Sequence, residues 1–151
     1  MKHLVMTCLM AVAITSSALA SESKAIRDVV NTHFKGIITG NEALLKSVWD
    51  LPNASLTSAT KVKGKEIIRN ENFPKAIEKW TKKAHKSSKG TILSVDVVNA
   101  RMSNVKANFV WNGVEFTDYL VLFKVNNKWK IVSKFYTNTK KTKKLSPYGA
   151  F

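Results

Sequence analysis

Two tight turns, Asn112-Gly113 and Asn126-Asn127, constrain this 151-residue chain more than any other feature. A type I′ turn needs positive φ at both central residues, and Asn-Gly adopts it most readily. Asn-Asn is a weaker form of the same signal. The two turns divide residues 104–136 into three antiparallel strands, and two-residue loops fix the register. Trp111 then faces Val114, Phe109 faces Phe116 and Ala107 faces Asp118 across the first turn. Across the second, Leu122 faces Ile131, Leu120 faces Ser133 and Asp118 faces Phe135. Side chains alternate along a strand, so Val105, Ala107, Phe109, Phe116, Leu120, Leu122, Trp129, Ile131 and Phe135 share one face. Asp118 is the single acid among them. The opposite face carries Tyr119, Val121, Phe123, Val125 and Val132 with Lys106, Lys130 and Lys134.

The first twenty residues have a separate character. Lys2 supplies a short positive region, residues 4–14 are apolar, and Ala18-Leu19-Ala20 is an A-x-A cleavage site. The apolar run is too short to span a bilayer. These features predict a secretory signal over 1–20, cleaved after Ala20, and hence a periplasmic or secreted protein. Cys8 lies inside the leader, so the mature chain has no cysteine and its core must hold without disulfides. The formal charge is +15, and loss of Lys2 leaves 24 basic against 10 acidic residues. Such a surface attracts polyanions. Its lysines do not interleave with aromatics as a base-stacking groove requires, and an exported chain meets little nucleic acid. The charge therefore predicts weak attraction to an anionic envelope surface and no nucleic-acid partner.

Residues 21–38 read as a helix, with Ser21 or Ser23 as cap. Ile26, Val29, Val30, His33, Phe34 and Ile37 lie on one stripe, and Gly40 ends it. A second helix is capped by Asn41 and carries Leu44, Leu45, Val48 and Trp49, with Pro52 after its end. Residues 54–63 form a first strand, followed by a turn at Gly64. A third helix spans 72–86, with Phe73, Ile77, Trp80 and Ala84 on one side. A strand over 91–102 then turns through Ser103-Asn104 into the meander. The last residues, 138–151, are lysine-rich and read as a mobile tail.

Helices followed by an antiparallel meander make an α+β pattern. Phe34, Gly36, Gly40-Asn41 and Leu45, together with Thr117-Asp118-Tyr119-Leu120, Leu122, Lys124 and residues 129–135, resemble one branch of the nuclear transport factor 2-like superfamily, the branch labelled "putative lumazine-binding". Ketosteroid isomerase and polyketide cyclases belong to the same superfamily. The resemblance covers residues 23–136 and implies a cone-shaped α+β barrel, a strongly bent antiparallel sheet wrapped around three helices with a pocket at the open end. The domain then occupies 21–137. Where relatives have a hydroxylated aromatic near the end of the first helix and an acid after its glycine, this chain has Phe34 and Asn41.

That cone gives the apolar face a hollow to line. Asp118 points into it, in the region where enzymes of the superfamily keep an acid or base, and His33 approaches from the opposite wall. Together they form a candidate catalytic pair for proton transfer. Trp49, Trp80, Phe109, Trp111, Phe116, Leu120 and Phe135 are candidate walls for a small apolar or aromatic ligand. The mature chain keeps two histidines, His33 and His85, with no His-x-x-x-His and no acidic calcium loop, so no metal or other cofactor is expected. The resemblance also implies a homodimer through the outer sheet face. Three functions stay open: an exported small-molecule-binding protein, an acid–base lyase, isomerase or hydrolase using Asp118 and His33, and an envelope interaction module with a basic surface. The sparse polar lining favours binding.

Overall fold

The computed structural model describes residues 2–139, with side chains described over 19–138. Its elements are α1 (Lys2–Thr39), α2 (Glu42–Val48), a 3-10 turn (Leu51–Asn53), β1 (Ser55–Val62), β2 (Lys65–Asn70), α3 (Phe73–Thr81), β3 (Lys89–Val97), β4 (Met102–Trp111), β5 (Val114–Val125) and β6 (Lys128–Thr139). Six strands form one open sheet in the order β2-β1-β6-β5-β4-β3. β1 runs parallel to β6, from Ser55 opposite Ser133 to Ala59 opposite Thr137. The sheet is therefore mixed, not wholly antiparallel as expected. A long loop through α3 carries the chain from β2 at one edge to β3 at the other.

Both meander turns form as the asparagines dictate. Asn112 and Gly113 have φ of 51° and 77°, and Asn126 and Asn127 have 49° and 59°. Phe109 pairs with Phe116 and Ala107 with Asp118, as expected. Leu122 pairs with Ile131, but the register then slips beside Val121, which pairs with Ser133 and leaves Val132 as an extra residue. Beyond this bulge Leu120 faces Lys134 and Asp118 faces Tyr136. One inserted residue exchanges the two faces of a strand. Phe135 is therefore on the outside, 49% exposed, and Lys134 is inside, 5% exposed. Both placements reverse the sequence reading.

Three further boundaries differ from expectation. The extended stretch after α3 divides at residues 98–101, where Asn99 Oδ1 accepts the backbone N–H groups of Arg101 and Met102 and folds a local turn. Ser103 and Asn104 lie within β4. The third helix stops at Thr81, because the His85 backbone N–H donates to Ile38 O and draws the chain across Gly40. Gly40, at φ +65°, lies so close to the backbone of Lys83 that no side chain fits there. Ala84 is exposed as a result. β2 has no buried residue and so carries no alternation to read. It is held by the Lys63-Gly64 turn and by pairing with β1.

The core lies between α1 and the concave side of the sheet. Ile26, Val30, His33, Phe34 and Ile37 of α1 are buried against Leu45 and Trp49, Phe73 and Trp80, and the inner face of β4 to β6. Phe34 stacks on Phe109, with ring centroids 5.4 Å apart, and Gly90 leaves room for the Phe34 ring. Asn41 and Asn72 cap α2 and α3 by accepting the N–H groups of Leu44 and Lys75. Ser21 and Ser23 lie inside α1 and do not cap it. Glu22 ties this part of α1 to the sheet, accepting from Lys124 Nζ and, at 2.6 Å, from Trp129 Nε1. These bonds hold the Glu22 carboxyl below its ordinary value, the Lys124 bond foremost. β6 continues to Thr139, and the tail beyond it lies outside the described residues.

Candidate functional site

Asp118 has its side chain buried beneath the sheet at 0% exposure. An isolated carboxylate in that setting would be costly. Its Oδ2 accepts from Lys134 Nζ at 3.1 Å, and the bulge is what brings that lysine to the inner face. The ammonium also lies 5.0 Å over the ring of Trp80 and 5.2 Å from that of Tyr136. Lys134 is thus the central residue missed by reading the strand as regular. No glycine, proline or asparagine within four residues of Val132 marks the bulge in the sequence.

His33 reaches the same place from α1. Its ring meets Trp49 and Trp80 edge-on, with centroids 5.5 Å and 5.7 Å away. Trp49 Nε1, which can only donate, donates to His33 Nδ1 at 3.1 Å. A neutral imidazole accepting at Nδ1 carries its proton on Nε2. Burial, and secondarily the charge of Lys134, hold His33 well below its ordinary pKa, so it is neutral near pH 7. Trp80 joins the two halves, with His33 on its edge and Lys134 over its ring. Two fully buried polar atoms in this cluster, His33 Nε2 and Asp118 Oδ1, have no hydrogen-bond partner among the described residues. One is a donor and the other an acceptor.

The remaining candidates divide. Trp49 and Trp80 are buried beside His33, with Phe73 4.4 Å from Trp49 by ring centroid. Leu120 is buried on the same sheet face as Asp118, and Phe109 is committed to its stack with Phe34. Phe116 is half-buried against Tyr136. Trp111 lies apart from the Asp118 cluster. Its Nε1 donates to His85 Nδ1 at 2.9 Å, and Lys79 lies 5.0 Å over its ring. Phe135 is outside the hollow, for the register reason given above. Tyr136, the other residue turned inward by the bulge, points its hydroxyl toward Glu71, whose carboxylate also takes Ser58 and Arg69. Burial foremost raises the Tyr136 pKa and keeps it a neutral phenol.

Comparison with known proteins places this geometry. The fold matches a nuclear transport factor 2-like protein of unknown function from Shewanella baltica, at TM-score 0.70 and 20% identity over 81% of this chain and 97% of that one. A second such protein, from Silicibacter pomeroyi, matches at TM-score 0.65 and 22% identity over 83% and 98%. A ketosteroid isomerase-like protein from Erwinia carotovora atroseptica matches at TM-score 0.58 and 10% identity over 79% and 97%. At these identities the likeness is one of fold. No curated protein matches the sequence. Residues 21–137 match the family described as "Putative lumazine-binding". With that match over most of its length, the chain belongs to the family described as "Putative lumazine-binding", and its open six-stranded sheet folded over α1 has the nuclear transport factor 2-like fold.

Proposed function

We propose that the protein is an exported binder of a small, flat, largely apolar molecule, held in the sheet's concavity between Trp49, Trp80 and the Asp118–Lys134 pair, without chemistry on its guest. The observation that carries this reading is the bond from Trp49 Nε1 to His33 Nδ1. The one basic lone pair of the imidazole is occupied by that bond, so His33 can take no proton without breaking it. Asp118 is ion-paired with Lys134 through Oδ2, and its Oδ1 has no partner among the described residues. General-base work by His33 would need its lone pair free, whereas binding needs only fixed donors and acceptors. The indoles of Trp49 and Trp80 offer apolar surface with little conformational freedom to lose.

Export is supported by the leader pattern of residues 1–20, and the family match starts after it, at residue 21. Native mass spectrometry of the protein recovered from the periplasm or medium of its own cells tests both parts. The expected mass begins at Ser21 and includes one retained small molecule per chain. A full-length mass argues against export. A ligand-free chain, together with turnover of any added compound that Asp118→Asn abolishes, overturns the binding reading.

A twofold dimer through the outer sheet face belongs to the same proposal. Tyr119, Phe123, Val125 and Phe135 form an apolar strip there, each 41–50% exposed. An apolar sheet face of this kind is ordinarily covered.

A further inference from the structure

We infer that the β1–β2 hairpin is a docking element whose partner is an anionic lipid surface. This goes beyond the binding reading and does not depend on what the hollow holds. The first observation is where the hairpin stands. Pairing of β1 with β6 ends at Ala59 opposite Thr137, so residues 60–67 form a two-stranded projection beyond the last shared rung among the described residues. The Lys63-Gly64 turn closes it, and a side chain added at Gly64 would meet nothing within 4 Å. Every residue of β2 is exposed.

The second observation is what the projection carries. Ile68, at its base, is 80% exposed, the highest value for a large apolar side chain among the described residues, and Val62 and Ile67 are 43% and 42% exposed. Exposed apolar groups of this kind mark an interaction site. Lys61, Lys63, Lys65 and Arg69 surround them, against the single carboxylate of Glu66 within the hairpin. Glu66 lies 4.0 Å from Lys61, and Arg69 reaches Glu71 at 3.5 Å. Lys63 and Lys65, at the turn, then have no ion-pair partner among the described residues. Short apolar side chains can enter the acyl boundary while lysine stems hold their ammonium groups at the level of anionic headgroups.

The third observation selects a fluid surface over a shaped partner. Ile67 shares a face with Thr60 and Val62, whereas Ile68 shares the opposite face with Ala59. A folded partner seated on the hairpin covers one of these faces, but a lipid interface closes around both. A second copy would also bring a hairpin with the same excess of cations.

Vesicle co-sedimentation on protein recovered from its own cells tests the inference. Vesicles about one-third phosphatidylglycerol are expected to bind at least about tenfold more tightly than pure phosphatidylcholine, and added salt should close the gap. Val62→Thr, Ile67→Thr and Ile68→Thr together keep every charge and the strand preference, and should weaken binding to the anionic vesicles at least about tenfold. Lys63→Gln with Lys65→Gln should do likewise, whereas Lys82→Gln with Lys86→Gln, an equal loss of charge elsewhere, should cost less than about threefold. Circular dichroism checks that each variant folds. Undiminished binding by the threonine variant, or equal losses from the two lysine pairs, would leave only diffuse charge attraction and overturn the inference. Absence of binding to anionic vesicles overturns it as well. So does a threonine variant that changes the sedimentation mass but not the lipid affinity, which would make the hairpin a contact between copies. Soluble polyglutamate that loses as much affinity as lipid in the threonine variant would assign the hairpin to an acidic protein instead. A small molecule retained in native mass spectrometry is unaffected by any of these results, so the binding reading stands or falls separately.

Discussion

Asp118 and Lys134 are each tolerable in the core only because of the other. Lys134→Met leaves a buried carboxylate unpaired and is expected to cost about 3–5 kcal/mol in urea unfolding. Asp118→Leu in the same chain should restore most of that loss, because removing both charges also removes both desolvation penalties. Equal destabilisation by the single and double variants would refute the pairing. His33 gives a pH signature. Its folded pKa lies below its ordinary 6.5, so the unfolded chain binds the extra proton as the pH falls. The associated stability is full above about pH 6.5 and declines as pH drops through that value toward the lower folded pKa. Thermal midpoints measured from pH 7.5 down to pH 5 should fall less steeply in His33→Gln than in wild type. At this scale the sequence exposed Asp118 and His33, because each interrupts an apolar stripe. It hid Lys134, since a lysine on a strand reads as solvent-facing unless the register is known.

Val132 is the smallest element with a large consequence. Deleting it would make β6 pair regularly with β5 while keeping Leu122 opposite Ile131 and Leu120 opposite Lys134, so that Lys134 stays inward and Phe135 outward. In urea unfolding the deletion is expected to cost less than the roughly 3–5 kcal/mol of an uncompensated buried charge. A loss on that scale would mean that the bulge itself, and not only the register it sets, holds the pair. Gly90 on β3 offers a second check. A methyl there would overlap the Phe34 ring that stacks on Phe109, so Gly90→Ala should cost about 1–3 kcal/mol in the same assay. Elements with one buried face were legible: the stripe of α1, the capped α2 and the strands of the meander. β2 was not, because an edge strand exposed along its length has no pattern to show. Nor was the early end of α3, where lysines that favour helix locally yield to the bond from His85 N to Ile38 O.

At the scale of the molecule, the outer strip of Tyr119, Phe123, Val125 and Phe135 sets the expected assembly. Sedimentation equilibrium should give a dimer, and Tyr119→Lys with Phe135→Lys should shift it toward monomer without changing the circular dichroism spectrum. A monomeric wild type at tens of micromolar would remove that proposal. The parallel pairing of β1 with β6 belongs to this scale too. It joins residues about 78 positions apart, as the Ser55–Ser133 hydroxyl bond illustrates, and no local signal encodes it. What the sequence by itself determined was short-range: the Asn-Gly and Asn-Asn turns, the alternation they register, the α1 stripe and the likeness to a family. Each depends on neighbours within a few residues, through backbone sterics or the period of a helix or strand. What only the tertiary structure decided was the company Asp118 keeps. A buried carboxylate takes its partner from whichever strand the folded sheet lays beside it, and one extra residue in β6 put a lysine there instead of a phenylalanine.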